Sequence, residues 1–191
     1  MDAKDLIVNA QRFLDLLLRY VVAGGAAVLA YGTLQPTPFS FLRVGTEISP
    51  LLMLLAVAVI GPAIYSIHKA VLHPIVLALE LTALKFLYKL QLSPRQMDIR
   101  MTDAMAKWKA DGNEWVPYYD AWAAQIHFLY CSAWGIGFAC VLASFVYSSV
   151  SNQKLALGLG TVLLLSAIIS DARLNARQPE KTINGGWLKD G

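Results

Sequence analysis

Charged side chains are missing from four long stretches of this sequence. No Asp, Glu, Lys or Arg occurs in Tyr20–Leu42, Leu51–Ile67, Ala121–Gln153 or Leu155–Ser170. Over the whole chain 15% of the residues are charged and 57% are hydrophobic, whereas soluble domains average roughly 25% charged residues. A transmembrane helix needs about 20 mostly apolar residues, because the bilayer core holds no water to satisfy its peptide groups. The missing charges argue against a soluble globular fold and indicate a protein of the lipid bilayer.

Cysteine and catalytic signatures are also scarce. The only two cysteines, Cys131 and Cys140, stand nine positions apart in one predicted helix, which is too far for a disulfide unless the helix breaks. The sequence contains no P-loop, no H-E-x-x-H zinc motif, no G-x-S-x-G nucleophile elbow and no C-x-x-C pair. We therefore expect a protein that is not an enzyme and that holds no metal or cofactor.

The apolar segments predict an all-α integral membrane protein with four transmembrane helices. The predicted spans are residues 13–31, 50–68, 122–147 and 154–171. Residues 69–120, between the second and third spans, are predicted to form a cytoplasmic or interfacial layer of helices. Residues 172–191 are expected to form a cytoplasmic tail, so that the chain is a single membrane domain.

The basic residues predict the orientation, since Lys and Arg remain mostly on the cytoplasmic side of a membrane. With the N-terminus inside, only Arg43 and Lys154 of the 16 basic residues lie outside. Both termini are thus expected on the cytoplasmic side of a bacterial-type inner or plasma membrane. The net charge of +3 is too small to indicate a nucleic-acid partner, and its one-sided placement suits anionic lipid headgroups. Basic candidates for contact with lipid or a protein partner are Lys85, Lys89, Arg95 and Arg100.

Small residues cluster in the first and third predicted spans. Gly24 and Gly25 remove side-chain bulk near mid-membrane in the first span. In the third span, Gly135, Ala139 and Ala143 recur at every fourth position. This small-xxx-small spacing lets helix backbones approach closely. These five residues are predicted to serve helix packing and self-association.

Proline interrupts the second predicted span and the segment after it. Pro62 and Pro74 each remove a helical hydrogen bond, so we expect hinges there and a second helix that continues beyond the bilayer. The segment 69–92 is too apolar for a lone exposed helix, because soluble surfaces rarely leave large apolar patches bare. This excess indicates association with further copies of the chain or with a cytoplasmic or membrane protein. The sequence leaves open whether the segment lies in the cytoplasm or on the lipid surface.

Two helix starts carry capping signals. Ser49 precedes Pro50, and Ser93 precedes Pro94 with Gln96 three residues after the serine. A serine before a helix accepts hydrogen bonds from unpaired backbone N–H groups, and proline suits the first helical position. The Ser93 to Gln96 sequence is a capping box, which predicts a helix from about residue 94 to about residue 110.

Ionisable side chains at membrane depth are candidates for function, because their desolvation must be offset by a partner. The candidates are His68, His73, Glu80 and His127. His127 and Cys131 stand four apart and could together ligate a metal, although two ligands do not make a site. His73 and Glu80 could act as an acid–base pair. The alternative is structural: Glu80 pairs with a lysine of a neighbouring helix, and the histidines form hydrogen bonds at the membrane interface.

The predicted function is that of a non-enzymatic membrane protein that self-associates. The assembly would be a pore, a channel-like protein or a membrane-perturbing effector, controlled through the cytoplasmic helices. One alternative is an anchor or assembly subunit of a larger membrane complex. Another is a small membrane enzyme or a metal- or haem-binding protein that uses His73, Glu80, His127 and Cys131. The layout resembles small multi-span membrane proteins that accompany bacterial defence or secretion systems, a likeness of layout rather than of any motif.

Overall fold

The computed structural model describes residues 13, 17–110, 116–147 and 152–183, and most of these residues are helical. The predicted all-α class is confirmed. The helices are α1 (Ala23–Leu34), α2 (Pro50–Ile67), α3 (His73–Tyr88), α4 (Pro94–Ala110), α5 (Val116–Val146) and α6 (Gln153–Ile183). Two π-helical turns, Leu17–Val22 and His68–Leu72, precede α1 and α3, and a 3-10 turn and a two-stranded hairpin, β1 (Arg43–Val44) and β2 (Glu47–Ile48), lie before α2.

Three helical segments among the described residues are long and apolar enough to cross a membrane. They are Pro50–Tyr88, Trp122–Val146 and Gln153–Ala176. The segment Tyr20–Leu34 is apolar but shorter, and residues 14–16 of the predicted first span lie outside the described part. A membrane location is therefore supported with three candidate spans, whereas the structure does not establish the predicted count of four.

The chain divides into two compact units. The first contains Met1–Val71 and His127–Leu165, and the second contains Leu72–Ile126 and Ser166–Gly191. Each unit therefore combines parts of the chain that are distant in sequence. The helices Val116–Val146 and Gln153–Ile183 contribute residues to both units.

The first unit is held together where small residues let helices touch. A Cβ atom on Gly24 would meet the carbonyl oxygen of Val57 and the backbone of Gly61. A Cβ atom on Gly135 would meet Ala27 and the Cδ1 atom of Ile64. Two glycines therefore lie where neighbouring helices approach closely. A second cluster joins α1 to α5 and consists of Ala30, Leu34, Ile136, Ala139, Cys140 and Ala143.

Both predicted caps are present. The Ser49 hydroxyl accepts a hydrogen bond from the backbone N–H of Leu52 at 3.4 Å, and Pro50 opens α2. At the start of α4, the Gln96 N–H donates to the Ser93 hydroxyl at 3.2 Å, while the Ser93 N–H donates to the Gln96 side chain at 2.8 Å. The capping box and the extent of α4 are thereby confirmed.

The second unit packs α3 against the end of α6. Leu84, Ala172 and Ala176 form its buried cluster, with Tyr88 and Met97 beside it. Helix α6 runs to Ile183 and not to the predicted end at 171, because the buried alanines continue its packing surface beyond Asp171. Part of the predicted tail is therefore helix, and its residues 184–191 lie outside the described part.

Candidate functional site

The sequence candidates fall into separate groups. His68 and His127 belong to the first unit and Glu80 to the second, while His73 is exposed. Among the described residues, no group of three or more His, Cys, Asp or Glu side chains is arranged to hold a metal ion. The four-residue site that the enzyme or metal alternative requires thus receives no support from the described geometry.

The histidine cluster of the first unit forms around the π-helical turn at His68–Leu72. His68 is 2% exposed, and its ring stacks on Tyr130 with 5.5 Å between the ring centroids. The edge of His127 meets His68 at a centroid distance of 5.5 Å. The Lys69 Nζ atom lies 3.4 Å from His127 Nε2 and 6.0 Å from the centroid of the Tyr65 ring. Two imidazoles, one ammonium and two phenol rings therefore meet in one place.

The lysine fixes the hydrogen-bonding role of one imidazole. An ammonium group only donates, so Nε2 of His127 is the acceptor of the bond from Lys69. A π-helical turn inside an α-helical segment is often found at functional sites. The chemistry available here is that of a cation beside a neutral imidazole, which suits the holding of an anionic group or the transfer of a proton.

The use of His127 and Cys131 together as metal ligands stays a prediction. Cys131 lies in an apolar cluster with Ala23, Ala27 and Ile64. His127 meets His68 and Lys69. Lys69 and His127 stand 58 positions apart in the sequence. The sequence signal that could have found this contact is the presence of two histidines, each in an apolar helix.

A second polar cluster lies in the second unit. Glu80 is 4% exposed, and the Nδ2 group of Asn175 donates to its Oε1 atom at 2.5 Å. The same nitrogen lies 3.2 Å from Oδ1 of Asp171 and 3.2 Å from the carbonyl oxygen of Asp171. Asn175 thus bridges two carboxyl groups on different helices.

The partner of Glu80 therefore differs from both of the predicted partners. Within the described residues its hydrogen-bond partner is an asparagine, and neither a lysine nor His73 takes that place. The physical reason is the extension of α6 beyond residue 171, which brings Asn175 to the buried face of α3. Asn175 was not among the predicted site residues, because residues 172–191 were expected to form a tail.

The first unit also contains an apolar groove of about 620 Å³. Its walls come from α1, α5 and the beginning of α6. This volume is within the range of small-molecule sites, which is roughly 300–1,000 Å³. Gly25 lies on its wall, and a Cβ atom there would meet no other atom within 4 Å.

The remaining sequence candidates are surface and helix-interior residues. Pro62 lies inside α2, and Pro74 lies in the first turn of α3, directly after the π-helical turn. Helical structure continues from Pro50 to Tyr88 through both prolines. Their role as hinges stays a prediction. The basic candidates Lys85, Lys89 and Arg95 are exposed, and Arg100 is half-buried.

Comparison with known proteins gives no relative. No protein-family model matches the sequence, and neither a curated protein nor a solved structure matches the chain. The function of the protein is therefore inferred from its own residues and contacts.

Proposed function

We propose that this protein is a non-enzymatic, four-span membrane protein that assembles with copies of itself into a pore-like or membrane-perturbing effector. In this proposal both termini are cytoplasmic, the membrane is of the bacterial inner type, and residues 69–120 control the assembly. The exposed apolar face of α3 is the observation that carries the proposal.

The second unit covers one face of helix α3 and leaves another face exposed. Val76, Glu80 and Leu84 are buried, at a spacing of four residues. On another side of the helix, Ile75 and Leu79 are exposed, and Phe86 is 75% exposed. Positions 75, 79 and 86 share one side of an α-helix. The exposed side therefore carries three large apolar side chains, the α3 stripe, with the hydroxyl residue Thr82 among them.

The length of the apolar helix supports the proposal that another protein chain covers that stripe. The helical segment Pro50–Tyr88 has 39 residues, whereas about 20 suffice to cross the hydrocarbon core. Part of its apolar surface is therefore more than one span requires. Such surface outside the hydrocarbon core favours association.

The small-residue faces already pack against other helices of the same chain. Gly24 and Gly135 lie against backbone and side chains of neighbouring helices. Ala139 and Ala143 are buried in the cluster that joins α1 to α5. This use favours the α3 stripe, rather than those faces, as the surface for self-association.

Native mass spectrometry of the full chain in mild detergent tests the proposal. We expect a discrete homo-oligomer for the natural sequence and a monomer for the double variant Leu79→Ser and Phe86→Ser. Phe145→Ser is the matched control, because Phe145 is 85% exposed on α5 and its removal should leave the oligomer intact. Vesicles loaded with dye should leak with the natural protein and not with the double variant.

Other outcomes would contradict the proposal. A monomeric natural protein would remove the basis for a self-assembled pore. A stable complex with a different chain, purified from the natural membrane, would favour the anchor or assembly subunit of a larger complex. An oligomer that the double variant preserves would place the contact on another surface.

A further inference from the structure

We infer that the groove of the first unit is a binding site for an uncharged lipid that carries one carbonyl or hydroxyl group. The oxygen of the lipid would bind at Ser132, and its apolar chain would lie along α1. This site is independent of the α3 stripe and of the assembly proposed for it.

The dimensions of the groove suit a lipid chain. The wall formed by α1 and the end of the π-helical turn before it runs from Val22 to Thr33. This stretch corresponds to about 16 Å at the rise of an α-helix. That length is about half of the hydrocarbon core of roughly 30 Å. The other walls come from α5 and α6, two of the candidate spans. The groove is therefore about as long as one leaflet of the hydrocarbon core is thick.

The lining of the groove excludes a charged occupant. None of the residues that line it is acidic or basic, and most carry only apolar side chains. A carboxylate or phosphate within it would lose its hydration without gaining a partner of opposite charge. The part of the ligand that enters the groove is therefore uncharged.

One buried hydroxyl in the lining indicates a hydrogen-bonding ligand. Ser132 is 1% exposed, and its Oγ atom has no hydrogen-bond partner among the described residues. A serine inside a helix can donate to the carbonyl oxygen four residues earlier, as Ser144 does to Cys140 at 2.8 Å in the same helix. A buried hydroxyl without a partner is unfavourable. A ligand carbonyl would accept from Ser132, and a ligand hydroxyl would donate to it.

The position of Ser132 gives the ligand a direction. Cys131, the residue before Ser132, packs with Ala23 and Ala27. Ile136, one turn after Ser132 on α5, packs with Ala30 and Leu34. Ser132 therefore lies toward the Val22 end of the α1 wall, away from Thr33. The lipid oxygen would lie at that end, and the chain would extend toward Thr33 and Asn152, the other polar residues of the lining.

Glycine positions on two helices provide a sharp test. Gly25→Leu fills the groove, and Gly158→Leu adds the same side chain outside it. At both glycines a new Cβ atom meets nothing within 4 Å, so neither substitution strains the packing at that atom. Ala26→Leu is a second groove-filling variant if the first does not fold, and Ser132→Ala removes only the hydroxyl.

The measurement is binding of two uncharged probes to the full chain in mild detergent, followed by native mass spectrometry. The probes are a decyl-substituted benzoquinone and a long-chain primary alcohol, which separate a carbonyl source from a hydroxyl source. We expect at least one probe to bind the natural protein and Gly158→Leu equally, to fail to bind Gly25→Leu, and to bind Ser132→Ala roughly tenfold more weakly, which corresponds to about one lost hydrogen bond.

Three results would overturn the inference. Equal binding of the probes by Gly25→Leu and the natural protein would place the site outside the groove. Unchanged binding by Ser132→Ala would remove the role of the hydroxyl. Tighter binding of an anionic lipid, such as a fatty acid at alkaline pH, than of either probe would contradict an uncharged ligand.

Discussion

Asn175 donates a hydrogen bond of 2.5 Å to Oε1 of Glu80, which joins the end of α6 to the buried face of α3. The two residues stand 95 positions apart in the sequence. Asn175 also reaches Asp171, one turn earlier on its own helix. The second unit is thereby held by a polar contact as well as by the apolar cluster around Leu84.

Replacing Asn175 with leucine should destabilise the second unit. The substitution keeps the branched shape of the side chain but leaves the buried Glu80 carboxyl without its donor. A buried polar group without a partner costs about 1–3 kcal/mol. Chemical unfolding in detergent micelles measures the change. Gln91→Leu is the control, because Gln91 is an exposed amide residue outside the helices. Equal stability of Asn175→Leu and the natural protein would show that the bond contributes nothing.

The contact between Lys69 and His127 should appear as a coupling energy. Lys69→Met and His127→Phe each remove the 3.4 Å contact while keeping a side chain of comparable length or ring shape. A double-mutant cycle should give a coupling of about 0.5–1 kcal/mol. The same cycle with Lys85→Met in place of Lys69→Met should give none. A coupling of zero for the Lys69 pair would argue against a bond that stabilises the fold.

Two glycine substitutions should have opposite effects. A Cβ atom on Gly61 would overlap the backbone of Tyr20, whereas a Cβ atom on Gly137 meets nothing within 4 Å. Gly61→Ala should therefore destabilise the first unit by about 1–3 kcal/mol, the usual effect of overpacking. Gly137→Ala should be neutral or stabilising by up to about 1 kcal/mol, since alanine is the better helix former. Melting temperatures in one detergent test both, and equal effects would contradict the close contact at Gly61.

Removing the capping box should loosen the beginning of α4. Ser93→Ala loses the acceptor for the Gln96 N–H, and loss of an N-cap costs about 1 kcal/mol. Hydrogen exchange at the first turn of α4 should accelerate, while exchange in α2 stays unchanged. Ser93→Asp should restore protection, because aspartate is also a good N-cap. Unchanged exchange in Ser93→Ala would show that the cap does not hold this helix end.

Local signals predicted local structure well. Ser49 and Ser93 marked the starts of α2 and α4, because a cap depends on residues within four positions of each other. The absence of charge located the apolar helices, because the cost of placing a charge in lipid acts on each residue separately. The predicted end of the last helix, residue 171, was too early. The residues after Asp171 are mostly polar, so the sequence pattern did not indicate that Ala172 and Ala176 pack against Leu84.

The sequence alone therefore indicated a membrane location and predicted the helical class and several helix ends. Only the tertiary structure decided that His68 meets His127, that Glu80 meets Asn175, and that Ser132 lines a groove. The reason is physical: helix periodicity tells which residues share a face, but not which helix covers that face. That choice depends on contacts between distant segments, such as Gly24 against Val57, which exist only once the helices pack.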